Sequence, residues 1–224
     1  MATVIVFDLD DTLYLERDFA RSGFAAVGAM LNKRLGSGDF AARAEAAFDS
    51  GMRTFIFDKI LAELGVCGDQ DLIDAAVTCY REHKPLIALA PDARRYLCSA
   101  RHKELALLSD GYTITQANKV AALGLDCGVF DPVVLTGNLG REYWKPHPRG
   151  FRLIERHFGR QPRDFVYVAD NPAKDFVAPH ALGWRTVQIE RPGRVHADGT
   201  VAAAADAVIV SLDDLDDCLA RLPN

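Results

Sequence analysis

A parallel α/β sheet interrupted by a helical insertion is the fold class this sequence predicts, on three observations. Short β-branched or apolar runs of strand length recur along the chain. Helical patterns separate most of them, and strands alternating with helices build a parallel sheet covered on both faces. One long segment after the first run carries helical periodicity alone.

The elements follow in order. Thr3 to Phe7 is the first strand. From Leu15 to His83 no convincing strand occurs. Ala20, Phe24, Val27, Leu31 and Leu35 share one helical stripe, and Leu72, Ile73, Ala76, Val77 and Tyr80 share another. Breaks at Gly36 to Gly38, Ser50 to Gly51 and Gly65 to Gly68 divide the segment into four helices. Asp8 and Ser109 stand 101 residues apart, whereas a βαβ unit needs roughly 30, so about 70 residues are surplus to the sheet. The predicted division is therefore a core of residues 1–14 and 86–224 with an insert of residues 15–85.

Beyond the insert, Pro91 to Arg101 opens on a residue suited to a first helical turn. Strands follow at Glu104 to Leu108, Pro132 to Thr136, Phe165 to Ala169, Arg185 to Ile189 and Ala207 to Val210. Helices between them run Thr113 to Leu123, His147 to Phe158 and Asn171 to Leu182, each stopped by a glycine: Gly124, Gly159 and Gly183. Phe55, Phe57, Trp144 and Trp184 are read as packing residues.

Composition narrows the function. Of 224 residues, 49% are hydrophobic and 25% charged, which excludes disordered and collagen-like chains. With 26 basic and 31 acidic side chains, the net charge of -5 speaks against a nucleic-acid binder. No apolar run approaches the ~18 residues that cross a bilayer, and Asp8, Asp10 and Asp11 make the start of the chain too acidic for a signal peptide. Cys67, Cys79, Cys98, Cys127 and Cys218 are widely spaced, with no CxxC pair. Free thiols and a cytoplasmic location are the expectation; oligomeric state is left open.

In an open parallel sheet, sites form beyond the carboxyl ends of strands. There the sequence offers Asp8-Leu9-Asp10-Asp11-Thr12, then Ser109-Asp110-Gly111, then Lys145-Pro146, then Asp170-Asn171-Pro172-Ala173-Lys174-Asp175. Carboxylates, a hydroxyl, a lysine and backbone amides together suit a phosphate and a hard divalent cation. Asp8 is the candidate nucleophile, and Mg2+ the candidate cofactor that relieves its repulsion from a phosphate dianion. Asp10 is placed to protonate a leaving oxygen and then take a proton from water. Ser109 and the following backbone amides are candidates to hold phosphoryl oxygens, Lys145 to neutralise phosphate and nucleophile, and Asp170 to complete the metal shell.

These four ordered motifs resemble those of the haloacid dehalogenase-like superfamily, and the resemblance covers essentially the whole chain. It implies a Rossmann-like core with a C1-type helical cap at residues 15–85. It implies Asp8 as nucleophile and metal ligand, and Asp10 as acid/base and backbone-carbonyl ligand. Ser109 and Lys145 then bind phosphate, Asp170 binds metal, and Asp175 is a ligand or its support. Three positions depart from the common pattern: Ala169 and Asp11 stand where glycine is frequent, and Asp110 stands where asparagine is.

Dehalogenases and phosphonatases of the superfamily lack an acid at the position of Asp10, because a halide leaves without a proton. Asp10 therefore favours hydrolysis of a small phosphomonoester, a sugar phosphate or nucleoside monophosphate, through an aspartyl-phosphate. A phosphomutase and a silent phosphate-binding module are the alternatives. Arg17, close to the first motif, and Arg53, after the break at Ser50-Gly51, are candidates to read the substrate beside Asp110 and Gly111.

Overall fold

The computed structural model describes residues 3–36, 39–66, 68–100, 103–195 and 200–222. Gly38, Cys67, the Arg101 end of a helix and the side chain of Leu35, all read from the sequence above, lie outside the described residues. The described elements run β1 (Val4–Phe7), α1 (Glu16–Leu35), α2 (Phe40–Asp49), α3 (Ile56–Glu63), α4 (Gln70–Glu82), α5 (Pro91–Ser99) and β2 (Glu104–Ser109). They continue α6 (Thr113–Ala122), β3 (Val133–Leu135), α7 (Arg149–Phe158), β4 (Phe165–Ala169), α8 (Val177–Leu182), β5 (Arg185–Ile189), β6 (Ala207–Ile209) and α9 (Leu215–Arg221).

All six predicted strands form, in one sheet of order β3-β2-β1-β4-β5-β6 with every pairing parallel. The alternation of side chains explains why the central strands are apolar throughout. Val4 and Val6 join Leu108, Tyr167, Phe151 of α7 and Trp184 in a core on one face. Phe7, one residue out of phase, meets the rings of Tyr96 from α5 and Phe130 edge-on at 5.9 and 6.0 Å. The strand order reverses between β1 and β4, which opens a crevice at their carboxyl ends. Asp8 N donates to Val168 O at 2.9 Å, tying the two strand exits together there.

One helix departs from expectation. Asn171 to Phe176 is a turn, and α8 begins only at Val177. Asp175 Oδ2 accepts from Asn171 N at 3.0 Å and Asn171 Oδ1 accepts from Ala173 N at 3.0 Å, cap-like bonds that hold this turn ahead of α8.

The chain divides into two compact units, Met1–Arg17 with Ala88–Asn224, and Asp18–Ile87. In the first, Ala90 N donates to Leu13 O at 2.9 Å, so the two segments bounding the second unit are hydrogen-bonded to each other. The second unit is helical and has its own core of Phe24, Val27, Leu31, Phe40, Ile60 and Leu72. Gly23 lets α1 approach α4, because a Cβ there would overlap the Tyr80 ring. Asp69 caps α4 by accepting from Leu72 N at 3.0 Å. Phe55 does not pack: it precedes α3 with φ 56° and is 77% exposed, its left-handed backbone turning the side chain outward.

Candidate functional site

β1 and β4 deliver Asp8 and Asp170 side by side, and the turn after β4 adds Asp175. One oxygen from each of the three lies within 4.8 Å of the others, and all three residues are buried. Lys145 reaches into this group. Its Nζ lies 2.6 Å from Asp8 Oδ1 and 2.8 Å from Asp175 Oδ1, and it donates to Tyr167 Oη at 2.9 Å. Burial works against the ammonium, but Asp175 and Asp8 outweigh it and hold the Lys145 pKa well above the ordinary lysine value.

One ammonium does not balance three carboxylates. Burial pushes Asp8 up to about 7 despite Lys145. Burial and the neighbouring charges of Asp8, Asp175 and Asp11 push Asp170 up to about 9. Asp170 Oδ2 is buried and has no hydrogen-bond partner among the described residues. A crowded set of hard oxygen donors with one orphaned oxygen fits a divalent cation such as Mg2+.

The second motif surrounds the same crevice. Ser109 ends β2, and its buried Oγ accepts from Gln116 Nε2 at 2.6 Å. Asp110 is accounted for by structure: Oδ1 accepts from Thr136 Oγ1 at 2.7 Å and Oδ2 from Lys145 N at 3.0 Å. It thereby fixes the backbone that carries Lys145, and Lys174 Nζ lies 3.9 Å from Oδ2. Gly111 sits at φ 136°, where a Cβ would press on Gln116 at 3.0 Å.

A cavity of about 140 Å³ opens over these groups, walled by Asp8, Asp10, Asp110 and Asp170 together with Glu16 and Lys174. Burial and Asp10 raise Glu16 to about 7. A larger cavity of about 850 Å³ lies at the amino end of β2, beside Lys103 and Leu105, and holds none of the motif residues.

Asp10 differs from its neighbours. Burial alone would raise its pKa, but Lys119, helped by hydrogen bonds from Tyr14 and Gln116, carries it below the ordinary carboxylate value. Lys119 Nζ lies 2.7 Å from Oδ1, Tyr14 also donates to Oδ1, and Gln116 Nε2 donates to Oδ2 at 2.9 Å.

The sequence candidates Asp8, Asp10, Ser109, Asp110, Lys145, Asp170 and Asp175 thus meet around one crevice, with Gly111 in the adjoining turn. Arg17 lies beside Gly193 and does not line the cavity. Arg53 belongs to the helical unit, where Nη1 donates to Phe48 O at 2.5 Å and Met52 O at 2.9 Å and the guanidinium covers the Phe48 ring. Tyr14, Glu16, Gln116 and Lys119 escaped the sequence reading, and Lys174 was read only as part of the fourth motif. The i, i+3 spacing of Gln116 and Lys119, which puts them on one helix face, was the available signal.

A parallel sheet with buried carboxylates and a lysine at its switch point defines an α/β protein with a polar crevice at the strand ends. The chain belongs to the haloacid dehalogenase-like hydrolases, whose family model matches residues 2–183. It is 28% identical over 201 residues to the glyceraldehyde 3-phosphate phosphatase of Methanopyrus kandleri, covering 85% of each chain. It is 33% identical over 148 residues to a phosphoserine phosphatase of Thermus thermophilus, covering 65% of this chain and 57% of that one. In fold it is similar to the HAD hydrolase YfnB of Bacillus subtilis, solved bound to magnesium. The TM-score is 0.68 with 19% identity, over 97% of this chain and 98% of the other.

Proposed function

We propose that this chain is a magnesium-dependent phosphatase that hydrolyses a small phosphomonoester through an aspartyl-phosphate on Asp8. The observation that carries this reading is the Asp8–Lys145 pair beside the orphaned oxygen of Asp170, with the Asp10 carboxyl on the same cavity. Phosphatase relatives acting, by their names, on glyceraldehyde 3-phosphate and phosphoserine support the choice of a compact substrate.

Asp8, Asp170 and Asp175, with the Asp10 carbonyl, would hold Mg2+. When bound, the ion supplies positive charge that offsets repulsion between carboxylate and phosphate. Lys145 holds one Asp8 oxygen, which leaves the other free to attack phosphorus. As the new O–P bond forms and the ester O–P bond breaks, the protonated form of Asp10, a minor one while Lys119 holds its pKa low, gives its proton to the departing oxygen. Water then attacks the same phosphorus, Asp10 accepts its proton, and the Asp8–phosphorus bond breaks to release inorganic phosphate and regenerate the carboxylate. Ser109 and the amides near Gly111 bind the transferring oxygens. The helical unit is read as the cap that selects the leaving group, and a role for Arg53 belongs to that reading.

The test is inorganic phosphate release from a panel of sugar, triose, amino-acid and nucleoside phosphates, with magnesium and with EDTA. Magnesium-dependent release that Asp8→Asn abolishes, with the circular dichroism spectrum retained, is expected. Turnover surviving in Asp8→Asn would overturn the nucleophile assignment.

A further inference from the structure

We propose that Lys119 and Gln116 of α6 are positioning residues that aim the Asp10 carboxyl at the ester oxygen. The inference rests on the phosphatase reading and adds residues to it.

A carboxyl that must deliver a proton to one atom needs both its rotation and its tilt fixed, and misplacement by about 1 Å can cost roughly 100-fold in rate. A single hydrogen bond leaves rotation about the carboxyl axis free. Asp10 is held at both oxygens from one helix: Lys119 Nζ at 2.7 Å on Oδ1 and Gln116 Nε2 at 2.9 Å on Oδ2. Tyr14 adds a second donor to Oδ1. Among the described residues Oδ1 therefore has two donors, whereas Oδ2 has one, which leaves a lone pair of Oδ2 to carry the transferred proton.

Gln116 donates to Ser109 Oγ from the same nitrogen, at 2.6 Å. The proton donor and a phosphate-binding hydroxyl are thus tied to one amide, and their spacing is set together. Both clamp residues are themselves buried, Gln116 being 1% and Lys119 4% exposed. An ion pair on the surface would cover no such polar atoms. Lys119 is buried with its ammonium on the Asp10 carboxylate, and its charge also acts on Glu16 beside the same cavity.

The experiment measures kcat/KM for Lys119→Met, Gln116→Leu and wild type over a series from activated aryl phosphates to alkyl phosphates. This ratio reports steps through formation of the phosphoenzyme, where only poor leaving groups need a proton. The loss in Lys119→Met is expected to grow along the series, from about threefold on aryl to roughly 100-fold on alkyl esters, the scale of general acid catalysis. Lys119→Arg should recover part of the alkyl rate. A loss equal across the series would overturn the proposal, because it would show only a structural or phosphate-binding role. So would an undiminished alkyl rate. If Lys119→Met does not fold, Gln116→Leu reads the same slope. Wild-type enzyme releasing phosphate from no ester would instead overturn the phosphatase reading and the clamp with it, an outcome separate from a flat series on an active enzyme.

Discussion

Removing Asp92 should destabilise the protein strongly, although Asp92 is outside the crevice. It is the second residue of α5, and with Arg191, two residues past β5, it forms a pair whose side chains are 9% and 7% exposed. Arg191 Nη1 donates to both carboxylate oxygens at 2.7 and 2.8 Å, Leu212 N donates to Oδ2 at 2.7 Å, and Arg191 Nε donates to Thr12 O at 2.8 Å. Asp92→Ala leaves a buried guanidinium and an amide without their acceptor. Breaking such a pair costs about 3–5 kcal/mol. At roughly 2–4 °C per kcal/mol for a chain of this size, the melting temperature should fall by ~6–20 °C. Asp92→Leu with Arg191→Met should lose less than either single change, since no charge is stranded. Burial works to raise the Asp92 pKa, but Arg191 and the Leu212 amide lower it below the ordinary 3.8. Its stabilisation is therefore present above 3.8 and is lost as pH falls through the still lower folded value. Urea denaturation of wild type and Asp92→Ala between pH 7 and pH 3 measures this: the gap should stay constant near neutrality and close in acid. A loss under about 1 kcal/mol at pH 7, the value of an exposed pair, would refute the reasoning.

Two further outcomes are expected. Asp170→Asn removes a carboxyl whose folded-state pKa is pushed up to about 9, a shift that costs stability at neutral pH, so its melting temperature in EDTA should rise by several degrees, while the upward shift expected from magnesium on wild type should vanish. A fall in EDTA would contradict the crowding argument. Gly137→Ala would drive a methyl group into the Gly111 carbonyl and to 2.8 Å from Thr113 Oγ1. It should cost about 1–3 kcal/mol and slow phosphate release by shifting the turn after Ser109; unchanged melting and rate would count against that contact.

The sheet was legible because its strands are buried on both faces and each announces itself as an apolar run. The motif residues were legible because a strand end is a local feature. Asp175 and Lys145 illustrate the limit. Their positions suggested roles, but the 2.8 Å pairing of two residues 30 apart follows only from the parallel order of β1, β2 and β4. Lys119 carries no motif of its own, and its partner Asp10 lies 109 residues away. Arg191 and Asp92 look like surface residues for the same reason. Asn171 to Phe176 differs: its spacing permits a helix, and the chain instead forms a turn, held by Asn171 and Asp175, before α8 begins.

The bond between Leu13 and Ala90 bears on how such a chain can be remodelled. An insertion whose two ends are already joined at its root adds little closure entropy to its host, whatever its length. The helical segment is thus a replaceable module: another one, longer or shorter, can be grafted at the same root without altering the register of β1, which Asp8 follows. Changes in the insert and changes in the sheet can then accumulate on separate stretches of one gene.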